Sequence, residues 1–158
     1  MSDLVLIDQA LLEAVSAEAK AAPRGRKNRN FHPADDYPAH RLINAVEPGS
    51  YIAPHRHLAP SKDESMIVLR GRLGLVSFDA AGQVASSAVL SPADAAIGVD
   101  IPHGVYHTVL ALEPGTVFFE AKAGPYLPLS AEEKAPWAPA EGEAGVADYY
   151  AGLVALFK

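Results

Sequence analysis

The stretch "PHRHLAPSKDE", Pro54 to Glu64, sets two histidines one residue apart and ends on a carboxylate. In an extended chain side chains alternate with period two, so His55 and His57 project from one side. A metal ion requires that arrangement of two imidazoles. Glu64 opens "ESMIVL" and shares a strand face with Met66 and Val68, both natural core residues. An unpaired carboxylate directed into an apolar core is costly, and coordination to a cation is one of few ways to keep it ionised there. His107, in "YHTVLAL", shares its face with Val109 and Ala111. Three imidazole nitrogens and one carboxylate oxygen suit a single divalent transition metal, Fe, Mn, Ni, Co or Zn, and the Irving–Williams order leaves the choice open. Taken singly, each histidine has a plainer account as a core or surface residue. Taken together, His55, His57, Glu64 and His107 are better explained as a ligand set.

These residues need a scaffold, and the period-two pattern supplies one from Arg41 onward. "RLINAVE", "SYIA", "ESMIVLRG", "RLGLVSFD", "ASSAVL", "YHTVLAL" and "TVFFEAK" are short, rich in β-branched or aromatic residues, and separated by turn signals such as Pro48-Gly49 and Pro114-Gly115. Many short strands without intervening helices predict a sandwich or barrel. Ahead of them, residues 8–21 read as an amphipathic helix, with Asp8 as N-cap, an Ile7–Leu12 staple, a Leu11, Leu12, Val15, Ala19 stripe, and Pro23 as terminator. Behind them, a Pro-rich acidic stretch from Gly124 to Glu143 precedes "VADYYAGLVALF", where Val146, Tyr150, Leu153, Val154 and Phe157 share a helical face. Trp137, between prolines, reads as the anchor of this arm on the barrel.

Composition narrows the partners. The chain has 158 residues, about half of them hydrophobic, a length suited to one domain with a sizeable core. The formal charge of −6 argues against nucleic acid. No apolar run is long enough to cross a bilayer, and the N-terminus lacks a basic signal-peptide region. The absence of cysteine removes disulfides and thiol chemistry, and the whole pattern fits a cytoplasmic protein.

Gly49, His55, His57, Glu64 and Gly71, followed by Gly98, Pro102, Gly104 and His107, resemble the paired motifs of the cupin superfamily. The gap before Glu64 is longer than the commonest cupin spacing, and Ala111 stands where many cupins carry asparagine. A more specific resemblance, over nearly the whole chain, is to the WbuC family of cupin-fold metalloproteins. It is carried by "RGRKNRNFH", "RLINAVEPGSYIAPHRH", "IPHGVYHTVLAL", "FFEAKAGPY" and "APWAP". The resemblance implies a mainly β fold, a double-stranded β-helix or jelly-roll barrel, flanked here by an N-terminal and a C-terminal helix. It implies one cupin domain over 1–158, with the helix and basic arm in 1–40, the barrel in 41–123, and the Pro-rich arm and last helix in 124–158. It also implies the metal set His55, His57, Glu64 and His107, a link to bacterial surface-polysaccharide metabolism, and, as in many cupins, a homodimer.

Ligand contacts beyond the metal are expected from the resembling segments. Arg24, Arg26 and Arg29 offer planar forks for phosphate or carboxylate, with Asn28 and Asn30 as neutral donors; a solvated loop is the competing account. His32 is a candidate for the pocket mouth. Tyr51 is a second candidate, against ordinary core packing, and Glu120 is the best carboxylate beyond the ligands, against a structural salt bridge. His40 and His103 read as structural. The expected partner is a small, anionic, sugar-derived molecule. Three functions compete: a metal-dependent isomerase or epimerase, an Fe(II) dioxygenase, and a non-catalytic sugar- or metal-sensing module.

Overall fold

The computed structural model describes residues 3–158. Two antiparallel sheets face each other, and a helix lies at each end of the chain, so the expected mainly β, jelly-roll-type architecture is the one found. Helix α1 spans Gln9–Ala21, and the Asp8 carboxylate caps it by accepting from the Leu11 amide at 2.9 Å. Strands β1 (Arg26–Asn30), β2 (Ala39–Val46), β3 (Glu64–Arg70), β4 (Leu73–Phe78), β5 (Val84–Leu90), β6 (Gly98–Ile101), β7 (Tyr106–Ala111) and β8 (Thr116–Ala123) follow, and α2 spans Val146–Ala155. The larger sheet runs β1-β2-β8-β3-β6 and the smaller β5-β4-β7.

Three apolar layers follow from the alternation. Between the sheets, Val46, Met66, Val68 and Phe118 meet Leu73, Val109 and Ala111. Outside the larger sheet, the expected stripe of α1 (Leu12, Val15, Ala19) buries Ile43, Ala45 and Val117. Outside the smaller sheet, Val76, Phe78, Tyr106 and Leu110 are covered by Leu153 of α2 and by Trp137. Trp137 lies 4.8 Å from the Phe78 ring and 5.7 Å from Tyr106, which makes it the anchor its Pro-rich setting predicts. Gly74 leaves room for Phe157, two residues beyond α2: a Cβ there would sit 2.8 Å from the Phe157 ring.

Several elements differ from expectation. The basic segment is not a loop ahead of the barrel. Arg26–Asn30 pairs with β2 from Arg26↔Val46 to Asn30↔Leu42, and β2 itself starts at Ala39, so the sheet begins before residue 41. "SYIA" forms no regular strand, while the short β6 carries no period-two signal strong enough to single it out. Ile7 is left half exposed at the start of α1, so the staple to Leu12 is open. No helix among the described residues is long and apolar enough to cross a membrane.

Candidate metal centre

Antiparallel register places residues in rows across the larger sheet. Facing residues share a side, so Asn30, Leu42, Glu120 and Met66 form one row on the interior face. Two positions along, the next row holds His40 and Lys122, and brings in Glu64 at the first position of β3. The smaller sheet contributes His107 from β7. The irregular strand before β3 enters through a two-way bridge, His55 N–H donating to His107 O at 3.1 Å and His107 N–H to His55 O at 2.9 Å. This bridge explains why His55 needs no regular strand to face inward.

One ligand atom each from His55, His57, Glu64 and His107 lies within 4.8 Å of the others. The backbone sets the imidazole tautomers. His55 Nδ1 donates to Ala53 O at 3.0 Å and His107 Nδ1 to Val105 O at 2.9 Å, each two residues upstream. Both rings therefore present an unprotonated Nε2 to the interior, the tautomer that metal ligation uses. His57 Nε2, Glu64 Oε1 and His107 Nε2 are buried and have no hydrogen-bond partner of good geometry. His57 Nε2 crowds Glu64 Oε1, and His107 Nε2 stands 3.7 Å from the same oxygen. Three orphaned buried atoms at one point are expensive unless something joins them. A divalent ion fits this donor set.

Electrostatics favour the ligating forms. Burial, aided by the neighbouring His107, pushes the His55 imidazole down to about 4. Burial likewise lowers His107. For Glu64, burial acts upward, but His57, Lys122 and His107 outweigh it and hold the carboxyl well below its usual range.

Lys122 and Asn44 are the residues the sequence reading missed. Lys122 Nζ lies 3.8 Å from Glu64 Oε1 and 3.8 Å from Glu120 Oε2, and Asn44 Nδ2 donates to Glu120 Oε1 at 3.4 Å. Burial, together with the nearby Glu64 charge, pushes the Glu120 carboxyl up to about 7. The signal was present in "FFEAK", where Glu120 and Lys122 share a face by period two.

The basic segment goes elsewhere. The Arg24 fork grips Glu141 through Nε–Oε1 at 2.7 Å and Nη2–Oε2 at 2.9 Å, and Arg26 Nη2 joins at 2.7 Å. Arg26 pairs with Val46, six residues along β2 from the His40 row, about 20 Å from the ligands at the usual strand rise. Arg29 faces α1 and pairs with Glu18 at 2.8 Å. The expectation that these arginines reach over the metal is thus corrected: the chain's own acids hold them away from it. Asn30 shares the Glu120 row. Tyr51 packs against Tyr149 and donates its hydroxyl to Pro139 O at 2.7 Å, so it serves the core rather than the pocket. His32 stacks on His40 at 3.8 Å, and its Nδ1 accepts from the Arg41 amide at 3.1 Å. His103 is tied to Asp63 through both its amide and Nδ1, at 2.7 and 2.8 Å, an exposed clamp on the turn.

A family model described as a domain of unknown function (DUF6016) matches residues 7–90. No curated protein matches the chain in sequence. Among solved structures, KdgF from Halomonas sp. is similar with a TM-score of 0.51 at 21% identity, over 67% of this chain and 84% of that one. A conserved protein of unknown function from Streptococcus pyogenes, SPY1581, gives a TM-score of 0.53 at 11% identity, over 80% and 93%. At these identities the likeness is one of fold.

Proposed function

We propose, for a chain that belongs to the family described as a domain of unknown function (DUF6016), that it holds one divalent transition metal and binds a small anionic, sugar-derived ligand beside it. The observation that carries the metal is the convergence of the orphaned atoms His57 Nε2, Glu64 Oε1 and His107 Nε2, with His55 completing the set. A bound divalent ion supplies Lewis-acid polarisation of a ligand oxygen.

The chain's own residues define the rest of the site. With Glu64 engaged by the ion, the ion and Lys122 together leave the pocket with excess positive charge, which favours a carboxylate or phosphate. Glu120 and Lys122 form a carboxyl–amine pair at 3.8 Å, suited to hold or accept a proton from a ligand carbon or hydroxyl. The amides of Asn44 and Asn30 lie on the same face and supply neutral donors for hydroxyl groups. This set supports proton transfer on a sugar acid or sugar phosphate, of the isomerase or epimerase type. The resemblance to the WbuC family supports a place in bacterial surface-polysaccharide metabolism.

The test is metal analysis of the purified protein, followed by a thermal-shift screen of sugar acids, sugar phosphates and nucleotide sugars with and without metal. Stoichiometric metal, and a stabilising anionic sugar whose effect requires the metal, are expected. A His57→Ala protein with unchanged metal content would overturn the reading.

A further inference from the structure

The three imidazoles of the site are not held alike. His55 and His107 each donate Nδ1 to a carbonyl two residues upstream, which fixes the ring as well as its tautomer. No such bond reaches Nδ1 of His57 among the described residues, and its side chain is 14% exposed against 3% for His107. His57 also lies outside any regular strand. A loose ligand loses its freedom when the metal binds, at a cost to affinity. For His57 the restraint has to come through the backbone.

The Pro-rich arm supplies it. "SAEE", Ser130 to Glu133, is a capping box closed on a single turn. The Ser130 amide donates to Glu133 Oε1 at 3.0 Å, and the Glu133 and Lys134 amides return to Ser130 O at 3.1 and 3.2 Å. The turn fixes the carboxylate and leaves its second oxygen, Oε2, to accept from the Leu58 amide at 3.0 Å, 75 residues away in sequence. The Glu133 carbonyl accepts from the Arg56 amide at 2.9 Å. Glu133 thus binds the residue on each side of His57. The peptide unit that follows His57 is pinned at both ends, its N–H by Glu133 and its carbonyl by the Gly104 amide at 2.6 Å. A peptide unit is planar and rigid, so pinning both ends fixes ψ of His57 and the side on which its ring emerges.

We infer that Glu133 is a positioning residue of the metal centre, holding His57 at the ligand cluster through the Leu58 amide. The inference rests on the reading of His55, His57, Glu64 and His107 as metal ligands, and it gives the Pro-rich arm a task besides covering the smaller sheet. A backbone seam accompanies the carboxylate: Arg56 Nε donates to Glu132 O at 3.0 Å, and the Ala135 amide to Pro54 O at 3.2 Å. Those bonds use main-chain carbonyls. A change of the Glu133 side chain therefore removes the Leu58 and Ser130 contacts and leaves the seam in place.

Co(II) titration of the chelated protein tests this, read by calorimetry and by the visible absorption band of the bound ion. Glu133→Ala is expected to raise the Co(II) Kd by about tenfold or more and to shift the band, with the β-rich circular dichroism kept. Glu133→Gln retains one acceptor oxygen and should fall between Glu133→Ala and the wild type, which keeps the inference testable if the alanine variant misfolds. Arg24→Ala with Arg26→Ala frees the same arm at Glu141, far from His57, and should leave Kd and band unchanged. An affinity loss with an unchanged band, or one matched by the arginine double variant, marks general loosening of the arm and overturns the inference. So does wild-type Co(II) binding in Glu133→Ala. A wild type that binds no Co(II) instead overturns the metal reading itself, and this inference with it.

Discussion

Lys122 Nζ stands 3.8 Å from Glu64 Oε1, on the strand next to that ligand and in the row that register assigns to both. The ammonium is close enough to hold the carboxylate ionised before a metal arrives, and it remains in the pocket afterwards. Lys122→Met should therefore leave metal stoichiometry intact and weaken binding of an anionic sugar by about tenfold, ~1.4 kcal/mol. Parallel metal analysis and calorimetric titration check this. Loss of the metal together with the anion would show that the lysine acts through Glu64 alone.

Metal removal should be visible as lost stability. A ligand present at a hundredfold excess over its Kd contributes ~2.7 kcal/mol to the folded state, about 5 to 10 °C in Tm for a chain of this size. Chelation should lower Tm by that order in the wild type. His57→Ala should show no metal-dependent shift. His40→Ala should keep the shift, because His40 donates to Asp35 O at 3.0 Å and stacks on His32 instead of joining the ligands.

The arginines of the basic segment should prove structural. Arg24→Ala with Arg26→Ala removes the grip on Glu141 and so loosens the Pro-rich arm, at a cost of about 1 kcal/mol given how exposed the pair is. Anion binding at the metal should not change. A salt-dependent loss of anion affinity in this double variant would return the segment to the ligand site.

The convergence of His55, His57, Glu64 and His107 was legible because these residues carry two signals at once, a spacing suited to a ligand set and a charge at a core position, as with Glu64 before Met66 and Val68. The helix stripe of α1 was legible for a similar reason, since period and cap agreed. The fate of Arg24 and Arg26 was not legible. Their partner Glu141 is more than a hundred residues away in sequence, and no local pattern joins the two. The strand at Arg26–Asn30 was hidden because edge strands bury little and so need no apolar alternation; Lys27, Asn28 and Asn30 are exposed. Lys122 was missed although "FFEAK" puts it on the face of Glu120, because a long polar side chain on an inward face reads as surface until its neighbours are known.

Acid should destabilise the metal-free protein through His55, and Glu120 should oppose that effect. Unfolded, His55 titrates near 6.5, whereas burial in the fold lowers it to about 4. Between those values the unfolded chain binds more protons than the folded one, so stability rises with pH, by on the order of 1 kcal/mol per pH unit for such a group. Glu120 has the reverse sign. Its folded value is raised from 4.5 to about 7, so in that window the folded state binds the extra proton and stability falls as pH rises. The two windows overlap between about 4.5 and 6.5, and the net slope there should be shallow in the wild type. Urea unfolding of chelated protein at pH 5, 6 and 7 separates them. Glu120→Gln should steepen the rise of stability with pH, and His55→Gln should reduce the slope, with His107, which burial shifts in the same direction, then opposing Glu120 alone. If neither substitution changes the slope, the two groups are not the titrating pair of this site.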